Sequence, residues 1–531
     1  MEAAVRFALV FAGVLASAQP VLAGPVVRLD GGAVQGKVSG AVEAFLGVPY
    51  AAPPVGPLRW RAPQPAASWT GTRDATRFAP ACYQGIAQPW GPYSQEFIAQ
   101  PPLSEDCLTL NVWKPAGVKR RLPVLVYIHG GAFSGGAGHV PVYDGAALAA
   151  RGAVVITINY RVGVLGFMAH PGLSAEAPGK TSGNYGLLDQ VAALEWVRAN
   201  AARFGGDPGN VTVAGESAGA ASVNYLQVMP AAKGLFHRAI SFSGASMAID
   251  MPPLARSEAA GQALAERLGA ASVEALRQVP ADQLIAATAV VPVPGGAPPR
   301  LVHVPNLDGV VLPADPDRPA APRITRVPLL TGFNAEEMID FSVRTPAAFE
   351  QAVRRRYGDF ADRLLALYPH ADAAQATQAN ADLARDRYMA GLVLWAQARP
   401  KAARDPIYLY RHDQPYPAVR GQQGWGAFHS SGLPYVFGTI GLGDRAFGAA
   451  DRAVSRHWQD VIVAFARSGN PALPGRPWGA VRAGTTQVMA FGQIQGANPA
   501  MAPAMRPAVS TPERLAAWRA YAAAGGRLGL M

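Results

Sequence analysis

The stretch Val211-Thr-Val-Ala-Gly-Glu-Ser-Ala-Gly-Ala220 decides the fold. A β-prone run enters Gly215-Glu216-Ser217-Ala218-Gly219, and small residues compatible with a helix leave it. Strand, Gly-x-Ser-x-Gly and helix in that order are the context of a nucleophile elbow. Such a turn holds its central residue in strained backbone geometry, so the positions two before and two after must be small. The pattern predicts Ser217 exposed above the strand ends, with a helix N-terminus beside it.

Strand and helix signals continue outward in both directions. Leu122–Ile128 is an unbroken apolar run ending in His129-Gly-Gly, and Ala153–Asn159 is another. Residues 187–204 have helical apolar spacing and stop at Gly205-Gly206. Further strands are expected at 26–28, 33–38, 239–243, 327–332 and 407–410, and helices across 254–284, 346–399, 455–468 and 511–524. Strands apolar on both faces that alternate with helices predict an α/β fold with a central, mostly parallel twisted sheet and helical insertions.

Half of the 531 residues are apolar, enough for a large core. Residues 1–23 read as a cleaved signal peptide. Arg6 precedes an apolar run from Phe7 to Ala16, and small residues at Val21 and Ala23 precede Gly24. That run is too short to span a bilayer comfortably. The expectation is a secreted or periplasmic protein, with residues 24–531 as one catalytic domain and no stable membrane insertion. The net charge is +11, but the basic residues are scattered and form no block interleaved with aromatics. That argues against a nucleic-acid partner. The two cysteines, Cys82 and Cys107, favour one disulfide in an exported chain. Their spacing fits no zinc site, and no metal is expected.

A serine hydroxyl needs a base, the base an orienting acid, and the developing oxyanion a set of donors. In an elbow-bearing fold the chain order is serine, acid, histidine. The acid segment after the 327–332 strand offers Glu336, Glu337 and Asp340, and spacing does not choose among them. His370 and His457 fall at or inside helices. His412, after a strand, and His429, in a loop, are equally placed for the base. Small residues in His129-Gly-Gly-Ala-Phe133 and Ala218 after the serine are suited to offer backbone amides.

The chain resembles the type-B carboxylesterases, the family that includes cholinesterases and bacterial para-nitrobenzyl esterases. The residues that carry the likeness run through most of the sequence. They are Phe45-Leu-Gly-Val-Pro-Tyr-Ala51, Pro53-Pro-Val-Gly-Pro-Leu-Arg59-Trp60, Ser104-Glu-Asp-Cys-Leu-Thr-Leu-Asn111, Asn159-Tyr-Arg-Val-Gly163, Gly183-Asn-Tyr-Gly-Leu-Leu-Asp-Gln190 and Phe204-Gly-Gly-Asp-Pro208, beside the two glycine motifs above. The resemblance implies an α/β-hydrolase that cleaves small-molecule carboxylic esters through an acyl-enzyme, without a cofactor. It implies the triad Ser217, Glu337 and His429, and an oxyanion hole at Gly131, Ala132 and Ala218. It further implies a Cys82–Cys107 disulfide, an Arg59–Glu105 ion pair, and Ser243 near the triad. The same machinery could serve a carbamate, amide or polycarboxylate ester. A non-catalytic binding module would have lost triad residues that are all present here. Two positions depart from the family pattern. Met338 stands where glycine is usual, and Gly432 where glutamate is frequent. The missing side chain at Gly432 is expected to leave room beside His429 for a bulkier substrate or more water.

Overall fold

Every residue of Leu122–Ile128 is buried. Its side chains alternate between two cores: Leu122, Val124, Val126 and Ile128 enter one, and Leu125 and Tyr127 the other. A strand apolar on both faces belongs in the middle of a sheet covered on both sides. The computed structural model describes residues 24–244, 251–289, 301–318, 321–399, 405–493 and 503–529. The expected signal peptide and the end of the expected domain lie outside the described residues.

The main sheet has eleven strands among the described residues. In chain order they are Lys37–Ser39 (β1), Val42–Pro49 (β2), Thr109–Pro115 (β3), Leu122–Ile128 (β4), Val154–Ile158 (β5), Gly206–Glu216 (β6), Arg238–Phe242 (β7), Leu329–Asn334 (β8), Ile407–His412 (β9), Gln487–Phe491 (β10) and Ala504–Pro507 (β11). Across the sheet they run β1-β2-β3-β5-β4-β6-β7-β8-β9-β10-β11. From β5 to β10 every pairing is parallel. The outer pairings are antiparallel. The expected mostly parallel sheet is therefore its centre. Val26–Leu29 and Gly32–Gln35 pair instead in a separate three-stranded sheet.

The helices that frame the site are Tyr185–Asn200 (α1), Ala218–Leu226 (α2), Ala373–Ala398 (α3), Ala449–Ser468 (α4) and Pro512–Ala523 (α5). Thr511 caps α5 by accepting from Arg514 N, with Pro512 at its first position. α4 begins six residues before the expected 455, because Asp451 accepts from Gly448 N at 2.8 Å and so extends the first turn. Among the described residues no helix is long and apolar enough to cross a membrane.

Two covalent or ionic ties hold the segment between β2 and β3. Cys82 and Cys107 are disulfide-bonded. Arg59 meets Glu105 through two hydrogen bonds of 2.7 and 2.5 Å and also donates to the carbonyls of Arg277 and Val279. Deeper, Arg161 makes a two-pronged contact with the fully buried Asp189 of α1 at 2.8 and 2.7 Å. Planar bidentate pairing of this kind satisfies both desolvated charges at once.

Candidate active site

Ser217 occupies the corner between β6 and α2 with φ +56° and ψ −122°. A non-glycine residue at positive φ is strained and persists only where its surroundings hold it. Here its amide donates to Phe242 O at 3.0 Å, and its carbonyl accepts from Ala221 N at 2.9 Å. The flanking glycines are required by close approach. A Cβ on Gly219 would lie 2.1 Å from Ile128 O, and one on Gly215 would lie 2.3 Å from Gly219 O. The elbow is thus pressed onto the end of β4.

The segment after β4 turns over the elbow. A Cβ on Gly130 would lie 2.7 Å from Glu216 Oε2 and 3.1 Å from Ser217 Cβ, so only glycine allows the loop to sit there. Gly131, Ala132 and Phe133 follow at positive φ. Phe133 is buried as an anchor, whereas Gly131 and Ala132 face outward. The amides of Gly131, Ala132 and Ala218 donate to no group among the described residues. His129 is buried, stacked on Tyr160 at 4.3 Å, with Nδ1 2.8 Å from Gly130 O. Burial pulls its pKa down to about 4, so it is a neutral packing residue.

Glu337 and His429 are brought together from segments 92 residues apart. Glu337 Oε2 contacts His429 Nδ1, while Oε1 accepts from Ser243 Oγ at 2.5 Å and Asn334 N at 2.8 Å. Tyr388 of α3 supports the same turn, its hydroxyl lying 2.7 Å from the carbonyl oxygens of both Asn334 and Ala335. Glu336 points to the other side and accepts from Ala427 N at 2.6 Å, tying this turn to the His429 loop. Asp340 is exposed and caps a local turn with Ser342. Geometry therefore separates the three acidic candidates.

It also separates the histidines. His412 is fully buried at the end of β9, where its Nδ1 accepts from Trp458 Nε1 at 3.1 Å, and burial pulls its pKa down to about 3. His370 packs against Tyr368 O. His429 behaves oppositely. Burial works to lower its pKa, but the charges of Glu337 and Glu216 and the hydrogen bond to Glu337 outweigh it, pushing it up to about 9. Its Nε2 lies 3.2 Å from Glu216 Oε1. No hydrogen bond joins Ser217 Oγ to Nε2 in this arrangement; such bonds commonly tighten only when substrate is bound.

Two contacts were not foreseen. Tyr93, from the disulfide loop, donates its hydroxyl to His429 O at 3.1 Å and packs its ring on Phe428. Trp90 beside it is 65% exposed. Ser430 donates to Glu216 Oε1 at 2.7 Å. Neither residue carries a local pattern that marks it, since each meets its partner from a distant segment.

The space at Gly432 fits the second half of the expectation, room for water. It is a small cavity behind the elbow, bounded by Glu216, Asn334, His412, Ser430 and Trp458 among others, with about 10 Å³ open to the centre of a water-sized sphere. That is room for one water molecule. A Cβ on Gly432 would already lie 3.0 Å from Asn334 Oδ1. The His412 ring at the end of β9 would lie 3.4 Å from the same Cβ. Met338 has φ +46°, the backbone conformation for which glycine is suited.

A strained serine between a parallel strand and a helix, with a buried Glu–His pair delivered by later strands, defines an α/β-hydrolase. The carboxylesterase family model matches residues 23–505. The chain is 40% identical over 463 residues to the fumonisin B1 esterase of Sphingopyxis macrogoltabida, covering 84% of this chain and 82% of that protein. It is 36% identical over 492 residues to the para-nitrobenzyl esterase of Bacillus subtilis (strain 168), covering 87% and 94%. A solved PNB esterase structure superimposes with a TM-score of 0.74 at 33% identity, over 92% of this chain and 98% of the other. The chain belongs to the carboxylesterase family and is a carboxylic ester hydrolase.

Proposed function

We propose that ester cleavage runs through Ser217 as nucleophile, His429 as general base and Glu337 as the acid that orients it. The contact between Glu337 and His429 Nδ1 beside the strained elbow carries this reading. Glu337 fixes the tautomer with the proton on Nδ1, leaving the Nε2 lone pair for the Ser217 proton. Ser217 Oγ attacks the ester carbonyl, and the carbonyl electrons move onto oxygen. The amides of Gly131, Ala132 and Ala218 receive that oxyanion, with the N-terminus of α2 adding favourable potential. The tetrahedral species collapses, and His429 returns its proton to the departing alkoxide. Water then attacks the acyl-enzyme and gives a proton to His429; as the second tetrahedral species collapses, His429 returns that proton to Ser217 Oγ, and the carboxylic acid leaves.

The test is labelling with an organophosphate combined with p-nitrophenyl acetate turnover. Ser217→Ala should abolish both while keeping the thermal unfolding transition; stoichiometric labelling of that variant would overturn the assignment. The relatives' names set the substrates to compare first, para-nitrobenzyl esters and fumonisin B1.

We further propose that residues 1–23 direct export and are removed, leaving 24–531 as one domain. The Cys82–Cys107 bond supports this, since disulfides persist in oxidising compartments. Mass spectrometry of the exported protein should find Gly24 at the N-terminus and no free thiol. An unprocessed N-terminus would refute it.

A further inference from the structure

Ser430 combines two features that neither packing nor the triad requires. Its backbone sits at φ +74°, a conformation serine rarely adopts. Its buried hydroxyl donates to Glu216 Oε1 at 2.7 Å. That same oxygen lies 3.2 Å from His429 Nε2, the atom that must take the serine proton. Glu216 is therefore a second carboxylate on the base, positioned to hold a charged imidazolium against the elbow instead of releasing Nε2 to Ser217.

We propose that Ser430 is a positioning residue, whose hydroxyl occupies Glu216 Oε1 and so limits how firmly that carboxylate captures His429. This rests on His429 being the base. The Glu216 oxygen has two donors within reach, Ser430 Oγ–H and His429 Nε2–H. In an imidazole whose Nδ1 proton faces Glu337, only the protonated ring carries a hydrogen on Nε2. Without the serine hydroxyl, charged His429 is the one side-chain donor left of the two at the buried Oε1. The unproductive state gains, and the neutral ring with its lone pair toward Ser217 loses. The cavity at Gly432 lies on the same side, lined by Glu216 and Ser430, and offers no other side-chain donor at position 432.

The other titratable groups around this contact are accounted for. Glu337 touches His429 on its opposite nitrogen. Tyr93, Tyr127, Tyr143, Tyr160 and Tyr410 surround Glu216, and burial pushes all five upward, so they stay neutral at working pH. The Glu336 carboxylate accepts from Ala427 N and does not reach the imidazole.

The experiment is the pH profile of kcat/KM for a soluble ester with Ser430→Gly, which suits the left-handed backbone and removes only the hydroxymethyl group. The fold should be retained by thermal unfolding. The acidic limb should move up by about half a pH unit or more. Ser430→Ala should shift it in the same direction. Glu216→Gln should move the limb down, and adding Ser430→Gly to it should cause no further shift, because the coupled partner is gone. Ser430→Gly with the parent profile, or the same upward shift in the Glu216→Gln background, overturns the proposal. His429→Ala, run beside these variants, distinguishes the outcomes: if it retained turnover, the assignment of the base itself would fail instead.

Discussion

Ser243 donates its hydroxyl hydrogen to Glu337 Oε1 at 2.5 Å across 94 residues of chain. With Asn334 N on the same oxygen at 2.8 Å, it fixes the carboxylate so that Oε2 faces His429. Ser243 has φ +54°, so alanine there keeps the same backbone strain and removes only the donor. Hydrogen bonds to charged groups contribute roughly 1.5–3 kcal/mol. Ser243→Ala should lose stability of that order in denaturant unfolding and lower kcat with little change in KM. A parent kcat would show that Asn334 alone holds the carboxylate.

Glu337→Gln should lower kcat by on the order of 10³–10⁴, as expected when the partner that sets the histidine tautomer is lost. Glu336→Gln should leave kcat nearly intact, because its carboxyl contacts Ala427 N and not the imidazole. Equal losses in the two variants would mean the adjacent pair is wrongly resolved. Glu336 has its own signature in stability. Burial raises its pKa to about 7. Its folded value thus exceeds its unfolded one, and its contribution to stability is present at low pH and lost as pH rises through about 7. Glu336→Gln should therefore gain stability relative to the parent at pH 8 compared with pH 5, measured by urea midpoints.

Replacing His429 with alanine should cost several orders of magnitude in kcat, since nucleophile and base act as a unit. His412→Ala should instead strip Trp458 Nε1 of its buried acceptor. An unsatisfied donor costs roughly 1–3 kcal/mol. The variant should melt earlier yet keep its turnover number; the reverse pattern would move the base to β9.

For the parent enzyme the acidic limb of kcat/KM should lie above the ordinary histidine value of 6.5, because Glu337 and Glu216 hold the imidazolium. The same shift, up to about 9, makes the contribution of His429 to stability complete below pH 6.5 and lost as pH rises through about 9. Activity and this part of the stability therefore change in opposite directions with pH. A limb at or below 6.5 would refute the two-carboxylate environment.

Met338 is 55% exposed and sits at φ +46°. A left-handed residue with a Cβ costs roughly 1–2 kcal/mol. Met338→Gly should therefore stabilise the protein by about 1 kcal/mol, after allowing for glycine's larger unfolded entropy. A lower urea midpoint would show that the thioether packs in solution.

The sheet centre was legible because its signals are local. Leu122–Ile128 is apolar at every position, and the Gly215–Gly219 turn needs small residues whatever surrounds it. The outer strands were harder to read. Val42–Pro49 and Thr109–Pro115 entered the sequence reading only as family motifs, and Gln487–Phe491 and Ala504–Pro507 not as strands at all. These strands border the parallel centre, and their order across the sheet depends on partners tens to hundreds of residues away.

By itself the sequence determined that Ser217 sits at a strained elbow, because such a turn writes its requirement into neighbouring residues. It also limited the acid to three carboxyls and left His412 and His429 as equal choices for the base. Tertiary structure gives these candidates different surroundings, through contacts that local pattern does not encode. Glu337 meets His429 across 92 residues, and Ser430 meets Glu216 across 214. β9 buries His412 against Trp458, where desolvation keeps it neutral, and the loop beyond carries His429 between two carboxylates, where their charge favours the proton. The two side chains are chemically identical. What differs is the dielectric and the charge around each, and those exist only once the chain has folded.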